Sequence, residues 1–278
     1  MATNTLPGFI PDTEAGAVGL AAIIGRPAEA LIALDFDGTL APIVPDPAAA
    51  RALPEAVSGL RALAPLIGTL AVITGRPADV AVEYGSLDQV PGLLVLGQYG
   101  RQCWENGVLS APPPPPGLAI ARARLPVLLA EVRAPVGIWV EDKKEALAVH
   151  TRRASDPVAA LDRLRAPLLA LAAETGLRAE PGRMVIELRP PGADKGKTLK
   201  ELAAKNHRTA VMYCGDDLGD RPAFAALREL RAAGMPGVAV LSQSAEVPEL
   251  AADADLVVDG PQGVAALLAA LATAIASG

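Results

Sequence analysis

The sequence predicts an α/β protein, a parallel sheet with helices on both faces, interrupted by an inserted α+β unit. Three observations lead there. Residues 31–34, 70–73 and 210–214 are apolar runs without alternation, the pattern of strands covered on both faces. Each run ends in polar residues at a strand's carboxyl end, where open α/β sheets place their ligands. Between residues 117 and 188 the rhythm changes to strand pairs alternating with helices, behind five consecutive prolines, 112–116.

Taken in order, residues 1–30 read as a leader packed on the core, with one helix over 13–24 capped by Asp12 or Thr13. Strand 31–34 leads into Asp35-Phe36-Asp37-Gly38-Thr39, and residues 41–47 are too rich in proline to be helix or central strand. Residues 53–66 have helical spacing through Val57, Leu60 and Leu63, and strand 70–73 follows, ending in Thr74-Gly75-Arg76-Pro77. Strand 93–96 runs into Gly97-Gln98-Tyr99-Gly100, and Asn106-Gly107 signals a hairpin turn. The proline run is a stiff spacer, and a domain boundary is placed there.

The insert begins with a helix over 118–133, which Pro126 should kink or divide. Strands 137–141 and 146–150 pair around residues 142–145. Asp156-Pro157 then opens a helix to residue 175, as N-cap and first-turn residue. Strands 177–180 and 183–188 flank Pro181-Gly182, completing an αββαββ order that gives one sheet with helices on one face. The core then resumes. Asp194-Lys195-Gly196 opens a helix to about residue 205, and strand 210–214 ends in Gly215-Asp216-Asp217-Leu218-Gly219-Asp220. A helix over 222–231, short strands at 237–241 and 255–258 and a helix over 264–275 close the chain. The expected division is therefore 1–30 leader, 31–112 core, 113–190 insert and 191–278 core.

Bulk properties exclude several functions. The chain has 278 residues, 51% hydrophobic but only 3% aromatic, so its core must be built from Ala, Val, Leu and Ile. A net charge of −6 and the lack of any Lys/Arg block argue against a nucleic-acid or anionic-membrane surface. Two cysteines and two histidines cannot assemble a zinc cluster at sensible spacing. Residues 1–10 have no basic region or apolar run of a secretory signal, and the longest largely apolar stretch, 264–275, is short of the roughly 20 residues of a membrane span. A cytoplasmic protein, without membrane or nucleic-acid partners, is expected.

The chemistry gathers at the strand ends. Asp35 and Asp37 are two residues apart, so in extended backbone both can face one small volume. Clustered carboxylates repel unless a cation or a shared proton joins them, which asks for Mg²⁺ and an acid/base role. An ordinary capping turn is the competing reading, but Asp-x-Asp-Gly-Thr arises by chance about three times in a thousand chains of this length. Thr74, ending the next strand, can give a hydroxyl to a phosphate oxygen, and Arg76 can add charge. Lys195 at a helix start favours anions. A P-loop reading of residues 192–198 fails, because three residues separate the glycines where four are needed. Asp216, Asp217 and Asp220 could simply cap a helix, yet with Asp35 and Asp37 they form a set suited to a hard divalent ion.

In this order the four strings resemble the motifs of the haloacid-dehalogenase-like (HAD) phosphohydrolases, and they imply a Rossmann-like core of HAD type. The resemblance implies Asp35 as nucleophile, Asp37 as general acid/base, and Thr74 and Lys195 as phosphate-holding residues. It further implies Mg²⁺ held by Asp35, the Asp37 carbonyl and Asp216, with Asp220 one layer behind. The insert resembles a C2B-type cap. Within that type, Val140-Glu141-Asp142-Lys143, His150-Thr151-Arg152, residues 182–190 and Asp194-Lys195-Gly196 are similar to the trehalose-6-phosphate phosphatase family. That likeness implies Glu141, Lys143, Arg183 and Glu187 as sugar-binding residues, a small sugar phosphate as the partner, and a monomer. Tyr99, Arg183 and Gly219 depart from the pattern, which usually has His, Lys and Thr there. A sucrose- or mannosylglycerate-type phosphatase, a phosphosugar mutase and a silent sugar-phosphate sensor are the other readings.

Overall fold

Thr13 caps helix α1 (Glu14–Gly25), its hydroxyl oxygen accepting from the Gly16 N–H at 3.0 Å. This helix buries Leu20 and Ile23. Strand β1 (Ala30–Leu34) follows, all five of its residues buried. Next come α2 (Pro54–Leu63), β2 (Thr69–Ile73), α3 (Ala78–Gly85) and β3 (Leu94–Gly97). The Asn106-Gly107 turn joins β4 (Gln102–Glu105) to β5 (Val108–Ser110) in an antiparallel hairpin. The computed structural model describes residues 6–182, 184–192, 194–243 and 248–278.

A second compact unit occupies Pro112–Ala193. It contains α4 (Pro116–Glu131), β6 (Trp139–Asp142), β7 (Leu147–His150), α5 (Pro157–Thr175), β8 (Arg178–Gly182) and β9 (Val185–Arg189). Its sheet is antiparallel in the order β6-β7-β9-β8. Leu147, Val149, Ile186 and Leu188 pack on α4 and α5 through Leu118, Leu125, Leu164, Leu168 and Leu171. Two local expectations are corrected here. Pro126 does not divide α4, which is a single helix with Pro126 inside it. Pro181-Gly182 is not the turn but the end of β8, paired to Ile186 and Val185.

The first unit, Met1–Ala111 with Asp194–Gly278, is completed by α6 (Lys195–Lys205), β10 (Ala210–Gly215), α7 (Arg221–Ala232), β11 (Gly237–Ser242), β12 (Leu256–Val258) and α8 (Gly260–Ala276). Its sheet runs β12-β11-β10-β1-β2-β3-β4-β5, parallel except for the last two strands. Alternate residues serve two cores. Ile32, Leu34, Val72 and Met212 face Ile23, Leu60 and Leu268, while Leu31, Ala33, Val211 and Tyr213 face Leu199, Phe224 and Leu227. From β1 the strand order proceeds to β2 and β3 on one side and to β10 and β11 on the other. That reversal opens a crevice at the carboxyl ends of β1 and β10.

The leader is fastened to this unit at Asp255. Thr13 donates to Asp255 Oδ1 at 2.5 Å, Asp12 N–H donates to its carbonyl at 2.6 Å, and Arg231 pairs with its carboxylate. No helix among the described residues is long and apolar enough to cross a membrane.

Candidate active site

Asp35 directly follows β1, and its N–H donates to the Cys214 carbonyl of β10 at 2.9 Å, which continues the parallel ladder across the crevice. Its side chain is buried, and Lys195 Nζ donates to Oδ2 at 2.8 Å. Lys195 stands in the first turn of α6, capped by Asp194, whose carboxylate accepts from the Lys197 N–H at 2.8 Å. The same ammonium reaches Asp220 Oδ1 at 2.7 Å. Asp220 is wholly enclosed. It also accepts from the Tyr213 hydroxyl at 2.5 Å and from the N–H groups of Asp216 and Asp217 at 2.9 and 3.1 Å. Those four bonds fill a carboxylate's acceptor sites, so Asp220 orients Lys195 and the turn before it instead of facing a ligand.

Among the described residues Asp216 has no such partners: its side chain is buried and Oδ1 accepts no hydrogen bond from them. Asp35, Asp216, Asp217 and Asp220 each present an oxygen within 4.8 Å of the others, close enough to hold a divalent ion, with Asp220 already saturated by its own hydrogen bonds. Electrostatics agree with that fit. Burial, then the charges of Asp220 and Asp35, push the Asp216 carboxyl up to about 10. Burial likewise raises Asp35 well above the ordinary carboxylate range, against the opposing pull of Lys195. For Lys195, burial opposes the charge but Asp220 and Asp35 outweigh it and hold the ammonium above its usual value. Asp220 is held low by Lys195 and the hydrogen bonds it receives, despite its burial. A single lysine thus serves several acids, and a bound cation would relieve the remaining excess of negative charge.

Gly38 makes the geometry possible. It has φ +74°, and a Cβ there would overlap the Asp216 carboxylate. The Ser242 hydroxyl at the end of β11 donates to the Gly38 carbonyl at 2.6 Å and fixes the turn from the far side. Asp37, two residues after Asp35, lies in different surroundings. Its side chain is 41% exposed, and Arg76 grips it with two bonds, Nε to Oδ2 at 2.7 Å and Nη2 to Oδ1 at 2.6 Å. Arg76 Nη2 also donates to the Pro47 carbonyl at 2.9 Å, tying the proline-rich loop to the same point. The Asp37 carboxylate is not among the four clustered acids. Thr74 follows β2 and is buried, its Oγ1 accepting from the Arg76 N–H at 3.1 Å.

The insert residues gather on another surface. Cross-strand register places Glu141 and Glu187 on either side of Ala148, on the sheet face opposite the one packed on α4 and α5. Lys143 Nζ lies 3.4 Å from Glu187 Oε2. His150 Nε2 lies 2.9 Å from Glu141 Oε2, and its ring stacks on Trp139 at 4.3 Å, with the Arg153 guanidinium 4.2 Å from the Trp139 ring centroid. Arg183 lies outside the described residues.

Residue-level reading of the sequence missed Tyr213, Ser242 and the Arg76–Asp37 pair. Tyr213 carried a usable signal: a hydroxyl inside an otherwise apolar strand must find a partner. Ser242 and the Arg76 pairing carried none, because their partners are 204 and 39 residues away.

A family model described as trehalose-phosphatase matches residues 33–262. A trehalose-phosphate phosphatase of Mycobacterium marinum is 34% identical over 269 residues, 91% of this chain and 63% of that protein. A protein described as an uncharacterized glycosyl hydrolase of Mycobacterium tuberculosis is 39% identical over 219 residues, 73% of this chain and 15% of its own length. The chain thus spans less than two thirds of these relatives. Among solved structures, the C-terminal domain of the Candida albicans trehalose-6-phosphate phosphatase has a TM-score of 0.70 at 20% identity, covering 95% of this chain and 99% of that one, a likeness of fold.

Proposed function

The chain belongs to the trehalose-phosphatase family, and from that premise we propose that it hydrolyses trehalose 6-phosphate to trehalose and phosphate through an aspartyl-phosphate on Asp35. One observation carries the reading: Lys195 bridges Asp35 and Asp220 while the buried Asp216 Oδ1 accepts no hydrogen bond beside them. A sensor would need neither a nucleophile nor a cation site.

We assign the metal as Mg²⁺, with Asp35, the Asp37 carbonyl and Asp216 holding it; when bound it would neutralise charge on the phosphoryl group. Asp35 attacks phosphorus in line, and the alkoxide of the sugar leaves. Lys195, paired to Asp35 Oδ2, leaves Oδ1 as the attacking atom and offsets charge on the transferred group. The Thr74 hydroxyl holds an equatorial oxygen. Asp37 protonates the leaving oxygen, then takes a proton from the water that opens the aspartyl-phosphate. Arg76, with a donor on each Asp37 oxygen, aims that carboxyl; in this role it serves Asp37 instead of the sugar. The Pro112–Ala193 unit would act as the cap, with Glu141, Lys143, Arg183 and Glu187 recognising the disaccharide, whose hydroxyls suit charge-assisted hydrogen bonds. The protein would work as a cytoplasmic monomer on this small molecule.

The test is phosphate release from a panel of sugar phosphates, with and without chelator. Trehalose 6-phosphate is expected to be preferred and chelator to stop turnover. Equal hydrolysis of glucose 6-phosphate would refute the substrate while sparing the reaction class.

A further inference from the structure

The turn after β3 holds three successive residues at positive φ: Gln98 at 50°, Tyr99 at 58° and Gly100 at 97°. Glycine adopts this region freely; a bulky aromatic does so only where its surroundings force it, and such residues collect at functional sites. Here the forcing bonds are visible. The Gln98 N–H donates to the Arg76 carbonyl and the Tyr99 N–H to the Thr74 carbonyl, both at 2.9 Å, while the Thr198 hydroxyl donates to the Tyr99 carbonyl at 2.8 Å. The Gln98 side chain donates to the Gly75 carbonyl at 3.1 Å. Every carbonyl of Thr74-Gly75-Arg76 is thereby tied to this turn.

The result is the placement of one side chain. The Tyr99 ring lies on Gly75, where an added Cβ would be 2.7 Å from the phenolic oxygen. Gly75 stands between Thr74, assigned above to the phosphate, and Arg76, which grips Asp37. The phenol therefore lies over the loop at the end of β2, the strand that stands between β3 and β1, and Tyr99 is only partly buried. Adjacent strands are about 4.8 Å apart, so the β3 end stands roughly 10 Å from the nucleophile's strand. A phenol carried back from there onto Gly75 stands beside the residues assigned to the phosphate, where the leaving group of a bound ester would meet it.

We infer that Tyr99 is a specificity-determining residue, its hydroxyl hydrogen-bonding the sugar beside the phosphate ester. This rests on the phosphatase reading above. Removing the hydroxyl with Tyr99→Phe keeps the ring and the strained turn. Steady-state kinetics should show about a tenfold rise in KM on trehalose 6-phosphate with little change in kcat, the loss of one hydrogen bond to a bound polar group. The ratio of kcat/KM on that substrate to kcat/KM on p-nitrophenyl phosphate, whose leaving group has no sugar hydroxyl, should fall by the same factor. A melting temperature within about 2 °C of the parent would exclude general damage. Parental KM in Tyr99→Phe overturns the inference; so does an equal loss on both substrates, which would make the phenol a prop for Gly75. A parent enzyme inactive on trehalose 6-phosphate but active on another sugar phosphate refutes the substrate reading alone, and the comparison is then made on that substrate. Inactivity on every phosphate ester removes both.

Discussion

Asp35 and Glu187 are both buried carboxylates, each within reach of a lysine, yet their surroundings follow opposite plans. Around Asp35, groups from the ends of β1 and β10 and the start of α6 meet, with Lys195 bonds of 2.8 and 2.7 Å and an Asp220 that has no acceptor site left. Around Glu187, the partner is 3.4 Å away and the neighbours sit on one face of a single antiparallel sheet. The first region has one workable arrangement, because each buried charge depends on the next. The second is a patterned surface whose residues can change one at a time. On the function proposed above, the reaction is built in the first way and the substrate preference in the second.

Substitutions in the two regions should therefore fail differently. Asp35→Asn should lower phosphate release by at least about a thousandfold, since the proposed nucleophile would act as part of a unit; parental rates would break the comparison outright. Lys195→Met leaves Asp35 and Asp220 enclosed without a counter-charge. It should cost about 3–5 kcal/mol in urea unfolding, as for other broken buried pairs. Glu187→Gln should instead leave folding nearly intact and raise KM for trehalose 6-phosphate by about tenfold, the weight of one charge-assisted hydrogen bond. If it abolished kcat, the two regions would not be separable.

The pH dependence sharpens the contrast. Asp216 at about 10 and Asp35 also raised mean that the folded protein keeps protons the unfolded chain releases above its ordinary carboxylate pKa. Without metal, stability should therefore fall as pH climbs from about 6 to about 8.5. Excess Mg²⁺ should raise the melting temperature most at the higher pH, where it takes the proton's place. A melting temperature in chelator that rises over this interval would contradict the charge balance described for the cluster. The smallest effect is expected at Tyr213→Phe. It removes one of four bonds to Asp220 and should cost about 1 kcal/mol of stability.

The sequence made the strand ends legible because they are local: an apolar run, a sharp stop, then acids or Thr-Gly. Asp35, Thr74, Lys195 and Asp216 could each be placed on an element by that logic, and the reversal of strand order then brings Asp35 and Asp216 together. What stayed hidden is pairwise. Arg76 could be read only as added charge beside Thr74, because nothing in its neighbourhood announces the pairing with Asp37. Tyr99 looked like a departure from a motif because backbone sign is invisible in residue type; Gly97 and Gly100 hint at a turn without saying that both residues between them, Gln98 and Tyr99, turn left-handed. Pro126 leaves its helix undivided for a simpler reason. A helix packed through Leu118, Ala121 and Leu125 gains enough from burial to outweigh a missing N–H.

Gly19 of α1 approaches β11 so closely that a Cβ there would overlap the Gly237 backbone. The leader is consequently a structural wall of the unit that carries Asp35 and Asp216, although the family match begins only at residue 33. Trimming the gene to the matched segment would remove Leu20 and Ile23 from the sheet face they cover and invite clumping during expression. A shortened version meant for crystallisation or biosensing should therefore retain everything from Asp12 onward.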